Sequence, residues 1–349
     1  IISFLKSNNI KSGDRVAAYL PNIIETVEYF IGTSAIGAIW SSCSPDFGVK
    51  GVIERFAQIK PKILVIADRY YYNGKEINVI ERLPEILKKI KSIKRVVVLS
   101  YPGKKLTKFK KIKGIKYFYS KDIKNIKKTN HILKKFNFNH PLAILYSSGT
   151  TGKPKCICHR TGGVLLQHLK EHQLHCEIKP GDNIFYFTTC GWMMWNWLVS
   201  SLASKASILL FDGFPMYKKN DLLLKVVDKE KVKLLGVSAK YIDSLKKLNL
   251  KIKSKFKLKN LKMICSTGSP LSNEGFEYIY KNVKKNVHLS SISGGTDIVS
   301  CFVLGNIYQP VYSGEIQANG LGLDVKVYSE KGKSKINQKG ELVLSLIHI

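Results

Sequence analysis

Residues Leu142–Lys155 read LAILYSSGTTGKPK, an apolar run that gives way to hydroxyls and glycines and closes on two lysines. The first part has the composition of a buried strand. Beyond it, Gly149 and Gly152 free the backbone for close approach, so that consecutive N–H groups can converge on an anion. Ser147, Ser148, Thr150 and Thr151 add hydroxyl donors, Lys153 adds a movable positive charge, and Pro154 pre-sets the turn out of the loop. The stretch reads as a phosphate cradle placed after a strand. It is not the common nucleotide-binding pattern G-x-x-x-x-G-K-[ST], because Ser147 stands where the first glycine is required and Pro154 where Ser or Thr is required.

Outward from this loop, short β-rich runs alternate with amphipathic helical ones, the pattern of an α/β fold with helices covering its sheets. Strands are expected at Arg15–Leu20, Lys62–Asp68 and Lys94–Ser100, then at Leu142–Ser148, Asn183–Thr189, Ala206–Phe211, Val232–Ser238 and Leu261–Gly268. Helices are expected at Asn22–Ile39 and Thr161–Cys176. The glycine fingerprint G-x-G-x-x-G is absent. Three regions follow: a first α/β subdomain over 1–140, a second over 141–310 with the phosphate loop, and the start of a β-rich, antiparallel subdomain over 311–349. The lysine-dense stretch Lys104–Lys135 reads as an exposed arm or the seam between the first two.

The 349 residues, 44% of them apolar, can bury a sizeable core. Their formal charge is +32, from 57 Lys+Arg against 25 Asp+Glu. Only six of the basic residues are arginine, all at or before Arg160, whereas base-edge and bidentate phosphate readers lean on arginine. A solvated lysine-rich surface is therefore expected, with no nucleic-acid partner. A basic nucleic-acid-binding module is the competing class, marked by steep salt dependence and indifference to ATP. Seven cysteines without framework spacing suit a reducing compartment, and a cytoplasmic location is expected. No apolar stretch approaches the roughly 20 residues of a membrane span. The chain starts IISFLKSNN and ends GELVLSLIHI, just past an apolar strand, which reads as a piece of a longer protein.

Further candidate sites also sit where strands end, the place open α/β sheets reserve for ligands. In SISGGTD (Ser291–Asp297), Ser293, Gly294 and Gly295 make a flexible turn, Thr296 offers a hydroxyl, and Asp297 offers a carboxylate for Mg²⁺, a hard ion that takes oxygen ligands. STGSP (Ser266–Pro270) supplies Gly268, Ser269 and Pro270 in a similar position. TTCGWMMWNWL (Thr188–Leu198) holds three of the four tryptophans, suited to a core or to the apolar wall of a ligand channel. His168, His172 and His175 fall at i, i+4 and i+7, too widely spread along a helix for one metal ion, and are expected as polar surface or substrate-proximal groups. Cys190 and Cys265 lack a base nearby in sequence and are not expected as nucleophiles.

LYSSGTTGKPKCICHRTGG (145–163) resembles the phosphate-binding motif of the adenylate-forming enzymes, and SSISGGTD sits where their Thr/Glu motif falls. The wording of residues 40–65, 188–203, 291–306 and 310–325 is similar to the acetoacetate-activating branch of that family, and the likeness runs over nearly the entire chain. The resemblance implies the family's large-domain fold, with mixed sheets flanked by helices and the C-terminal lid outside this chain. It implies ATP-dependent ligation of acetoacetate to CoA through an acyl-adenylate, with release of AMP and diphosphate. A short-chain relative acting on acetate is the alternative within the family. ATP, Mg²⁺ and CoA are the implied cofactor, metal and co-substrate.

Carried onto this sequence, Ser147, Ser148, Gly149, Thr150, Thr151, Gly152 and Lys153 would hold the β- and γ-phosphates. Thr296 would bind the α-phosphate and Asp297 the Mg²⁺, so Lys153 and Thr296 are the implied catalytic residues. Gly268, Ser269 and Pro270 would lie beside adenine, with Ser293, Gly294 and Gly295 nearby. Trp192, Trp195 and Asn196 would line the acyl and pantetheine path. The family commonly has Glu where this chain has Asp297 and Glu-Pro where it has Ser269-Pro270. The ribose-binding Asp and the lid's catalytic Lys are expected outside the chain, which alone is expected to be inactive.

Overall fold

A computed structural model describes residues 1–126, 133–147 and 152–345. The chain divides into two compact units, one of Ile1–Leu166, Thr188–Asn196 and Leu210–Tyr217, the other of Gln167–Phe187, Trp197–Leu209 and Lys218–Ile349.

The strands of the first unit are β1 (Arg15–Tyr19), β2 (Ile39–Cys43), β3 (Ile63–Ala67), β4 (Arg69–Tyr72), β5 (Lys75–Asn78), β6 (Arg95–Leu99), β7 (Lys116–Tyr119), β8 (Pro141–Ser147) and β9 (Lys155–Arg160). Seven of them form one sheet in the order β7-β6-β3-β1-β2-β8-β9, and β4 pairs with β5 as a hairpin. Pairing in the large sheet is parallel except between β8 and β9. Central strands such as β3 (ILVIA) are buried at every position, as expected where helices cover both faces of a parallel sheet. The helices are α1 (Ile2–Ser7), α2 (Ile24–Ala35), α3 (Val49–Ile59), α4 (Leu83–Lys89) and α5 (Ser120–Lys124). In α3 the inward positions Val52, Phe56 and Ile59 recur at helical spacing, and their burial stabilises by roughly 1.5–3 kcal/mol each.

Three expectations change here. The helix predicted to run to Ile39 stops at Ala35, because Ile39–Cys43 pairs with β1 in the register Arg15↔Ile39. The serines of β2 disguise a core strand: Ser41 Oγ donates to the Ile144 carbonyl at 2.9 Å and Ser42 Oγ to the Cys190 carbonyl at 2.6 Å. The lysine-dense stretch from Lys104 is also more than an arm, since Lys116–Tyr119 is the sheet's edge strand, paired with β6. Residues 127–132 of that stretch lie outside the described residues. The boundary expected at residue 140 falls inside the first unit, where β8 continues the sheet beside β2.

Helices α6 (Thr161–Lys170) and α7 (Met193–Ser200) each have residues in both units. In the second unit, β10 (Asn183–Tyr186), β11 (Ser207–Leu209), β12 (Leu234–Ser238), β13 (Met263–Thr267) and β14 (His288–Ser291) form a parallel sheet in the order β11-β10-β12-β13-β14. Helices α8 (Leu222–Lys229), α9 (Ala239–Lys247) and α10 (Asn273–Tyr278) accompany it. The later strands are short and antiparallel: β15 (Ser293–Gly295), β16 (Ser300–Leu304) and β17 (Ala318–Asn319) form one sheet, and β18 (Asp324–Tyr328), β19 (Ser334–Lys335) and β20 (Glu341–Ser345) another. The fold is α/β with mixed sheets flanked by helices. Among the described residues no helix is long and apolar enough to cross a membrane.

Candidate active site

In the first unit the ends of the phosphate-cradle sequence are held by the β8–β9 ladder, in which Ser147 pairs with Lys155. Ser148, Gly149, Thr150 and Thr151 lie outside the described residues. Gly152 and Lys153 are exposed, while Pro154 is buried and its carbonyl accepts from Gln58 Nε2 of α3 at 2.9 Å. Lys153 is thus offered to solvent next to an anchored Pro154.

The tryptophan stretch of this unit packs beside the carboxyl ends of β1 and β2. Cys190 Sγ donates to the Leu20 carbonyl at 2.7 Å, and Asn22 Nδ2 reaches the carbonyls of Thr188 and Phe211 at 3.4 Å. Trp195 is wholly buried, its ring stacked on Trp40 at 6.4 Å and edge-on to Phe30 at 5.6 Å, with Nε1 donating to Asn22 Oδ1 at 2.9 Å. That corrects the placement of Trp195 in a ligand wall, since the ring has no exposed surface. Trp192 is half-buried. Asn196 is 5% exposed, with no hydrogen-bond partner for Oδ1 among the described residues. Burial pushes the Cys190 thiol well above its ordinary pKa.

Asp212 escaped the sequence reading. It accepts from Tyr101 Oη at 3.0 Å, and burial, with the charge of Asp46 adding, pushes its pKa up to about 6. The only signal was an acid placed just past an apolar strand.

In the second unit, β13 and β14 are parallel neighbours, so the loops that follow them emerge side by side. They are tied at the root: Thr267 Oγ1 donates to the Ile292 carbonyl at 2.9 Å, and the Ile292 N–H to the Ser266 carbonyl at 2.8 Å. Gly268, with φ of +86°, turns the chain out of β13 into the exposed Ser269 and Pro270. After β14 come half-buried Ser293, exposed Gly294, half-buried Gly295 and Thr296, and exposed Asp297. Gly294 is required sterically, since a Cβ there would meet the Ser300 carbonyl oxygen at 2.1 Å. The structure therefore brings the Ser269 and Thr296 loops to the same strand ends.

Among the described residues Asp297 has no basic side chain within ion-pair distance, in a chain carrying 57 Lys+Arg. An exposed carboxylate left free in this way fits a magnesium ion that draws its remaining ligands from water and phosphate oxygens. No group of three or more His, Cys, Asp or Glu side chains gathers as metal ligands among the described residues.

The histidines are the largest correction. A π-helical turn, Glu171–His175, continues α6, with the Cys176 N–H reaching the Glu171 carbonyl at 3.0 Å. His168, Glu171, His172 and His175 share one face, as their spacing implies, but that face is buried. His168 bonds Ser200 Oγ through Nδ1 at 2.7 Å and donates from Nε2 to the Val299 carbonyl at 2.6 Å. His172 lies edge-on to Trp197 at 4.2 Å, with no hydrogen-bond partner on either ring nitrogen among the described residues. The Glu171 carboxylate accepts from Trp197 Nε1 at 2.8 Å, Gln167 Nε2 at 3.0 Å, the Cys301 N–H at 3.2 Å and Ser300 Oγ.

Burial disfavours the charged form of each group: His168 falls to about 4, His172 lies well below the ordinary imidazole value, and Glu171 is pushed up. As pH drops from about 6.5 toward 4, the unfolded chain protonates at His168 before the folded one does, so stability present at neutral pH is lost. Glu171 acts in the opposite sense. Replacing His168 by Gln should therefore reduce the stability loss between pH 7 and pH 5 by on the order of 2 kcal/mol, at about 1.36 kcal/mol per pH unit. Urea-unfolding midpoints of the full-length protein at both pH values check this, and equal acid losses in the two proteins would contradict it.

The acetoacetyl-coenzyme A synthetase of Rhizobium meliloti is 47% identical over 339 residues, covering 97% of this chain and 52% of that protein. The acetoacetyl-CoA synthetase of Gallus gallus is 45% identical, covering 97% of this chain and 51% of its own length. Among solved structures, the acetoacetyl-CoA synthetase from Streptomyces lividans superposes with a TM-score of 0.91 at 34% identity, covering 98% of this chain and 52% of that one. The chain thus spans about half the length of these relatives. The profile described as AMP-binding enzyme matches residues 1–348, and the chain belongs to that family.

Proposed function

We propose that this chain is the nucleotide-binding part of an AMP-forming acid–thiol ligase that joins acetoacetate to CoA through an acyl-adenylate. The observation that carries the reading is the 47% identity to an acetoacetyl-CoA synthetase across 97% of the chain. The placement of the candidate loops at carboxyl strand ends supports it.

In this reading Ser147 to Lys153 take the β- and γ-phosphates of ATP. Thr296 donates to the α-phosphate, and Gly268–Pro270 with Ser293–Gly295 flank the base. Asp297 holds Mg²⁺, which supplies charge neutralisation on the phosphates when bound. Lys153 stabilises negative charge that develops as the acid carboxylate attacks the α-phosphorus and diphosphate leaves. CoA thiolate then displaces AMP. Trp192 is the tryptophan left to border the acyl path. Cytoplasmic location and the absence of a nucleic-acid partner belong to the same proposal.

A ketone buried without a donor costs roughly 1–3 kcal/mol, so a site built for acetoacetate must present one. The Cys190 thiol is already engaged with the Leu20 carbonyl, which leaves the Asn196 amide and the backbone N–H groups of Gly294 and Gly295 as candidates. In the full-length protein, acetoacetate should exceed butyrate in kcat/KM by about tenfold or more at equal ATP and CoA. Equal values would rule out keto recognition and move the chain to the general short-chain acyl-CoA synthetases.

A further inference from the structure

The turn that carries Thr296 and Asp297 has an unusual anchor. It closes with the Val299 N–H on the Thr296 carbonyl at 3.2 Å, and Val299 itself sits at φ of +50°. A β-branched residue rarely adopts this left-handed conformation, and it persists only where the surroundings over-determine it. Those surroundings are the buried face of α6 and its π-helical continuation. His168 Nε2 donates to the carbonyl of Val299, the strained residue, at 2.6 Å. A carbonyl can only accept, so Nε2 carries the proton, while Nδ1 lies 2.7 Å from Ser200 Oγ, whose one hydroxyl proton also has the Trp197 carbonyl at 2.8 Å. At the next two residues, Glu171 takes the Ser300 hydroxyl and the Cys301 N–H. His175 extends the clamp, its Nδ1 bonding the Gly305 carbonyl at 2.8 Å beyond β16 and its Nε2 receiving the Leu321 N–H at 3.2 Å. Three consecutive residues, Val299 to Cys301, are thus held by two side chains one helical turn apart.

We infer that His168 and Glu171 are positioning residues that hold the turn Thr296–Val299 in the shape in which Thr296 and Asp297 meet the nucleotide. This rests on the nucleotide-binding reading of those two residues given above. Neither His168 nor Glu171 touches substrate; each acts through the backbone of Val299 and Ser300–Cys301. Ser200 acts at one further remove, through the contact of its hydroxyl with Nδ1 of His168.

The test is made on the full-length protein with His168→Leu, His168→Gln and Ser200→Ala, and Asp297→Ala beside them. Hydrogen exchange at the amides of Val299 and Cys301, read without nucleotide, should rise about tenfold or more in His168→Leu, while the amides of β12 keep their protection. ATP–pyrophosphate exchange should fall by about tenfold in the same variant, chiefly as a raised KM for MgATP if the turn is loosened rather than lost. The amide of His168→Gln can still donate to the Val299 carbonyl and should restore much of both. Ser200→Ala, which removes little volume, should move both in the same direction to a smaller extent, and stands in if the leucine variant does not fold. Unchanged protection of Val299 and Cys301 in the folded variants would overturn the positioning role. Raised exchange with unchanged KM and kcat would overturn its link to the nucleotide. Full activity in Asp297→Ala would sink the underlying reading instead, and the amide exchange would still show whether His168 holds the turn.

Discussion

Replacing Lys153 by alanine is expected to slow adenylate formation on the order of 10²-fold, the scale on which a group that stabilises developing charge contributes. The residue is exposed, and Pro154 behind it is pinned through its carbonyl to Gln58. The ammonium can therefore move while the exit of the loop stays put, which suits a charge that must follow a departing diphosphate. ATP–pyrophosphate exchange by the full-length protein at saturating acetoacetate measures the step directly. Lys155→Ala is the control: it removes the same charge two residues away, from a position paired with Ser147 in the β8–β9 ladder, and should change the rate little. An unchanged rate in Lys153→Ala, or an equal loss in both variants, would mean that bulk positive charge and not the loop lysine is at work.

Trp195→Ala should destabilise the protein by about 3–5 kcal/mol, the range for emptying a buried aromatic site. The ring stacks on Trp40 and meets Phe30 edge-on, and its indole N–H is the donor to Asn22 Oδ1, so truncation also leaves a buried acceptor unpaired. Asn22 in turn contacts the carbonyls of Thr188 and Phe211, which spreads the damage along the first unit's own packing. Trp195→Phe should recover most of the packing loss but not the hydrogen bond. Urea unfolding of the three proteins gives the ordering. If Trp195→Ala unfolds within 1 kcal/mol of the parent, or if Trp195→Phe alters KM for acetoacetate while leaving stability intact, the ring belongs to the ligand path after all.

The elements that could be read in advance are those whose signal is local. β3 and β6 are continuous apolar runs, and such runs stay buried whatever their neighbours. The turn after β14 announces itself because glycines, hydroxyls and a carboxylate crowd into Ser293–Asp297. β2 was missed for the converse reason: IWSSC has little strand character of its own, and its serines are buried only because the Ile144 and Cys190 carbonyls arrive from distant parts of the chain to accept their protons.

The residues near the site divide along the same line. The periodicity of His168, Glu171, His172 and His175 determined that they share one helix face, because side-chain direction repeats every 3.6 residues. Whether that face meets water or protein is not a local property. It was decided by Trp197, Ser200 and the strand from Ser300, which surround the face and hydrogen-bond to His168 and Glu171. Likewise the aromatic count of Thr188–Leu198 showed that the stretch would be buried against something, but only the partners Trp40, Phe30 and Asn22 assigned Trp195 to the core. The sequence by itself determined the alternating α/β plan, the chemistry of the loops and the spacing of polar groups, all set by residues adjacent in the chain. Tertiary structure alone decided which polar groups were buried and bonded, because burial and hydrogen bonding depend on atoms contributed from more than a hundred residues away.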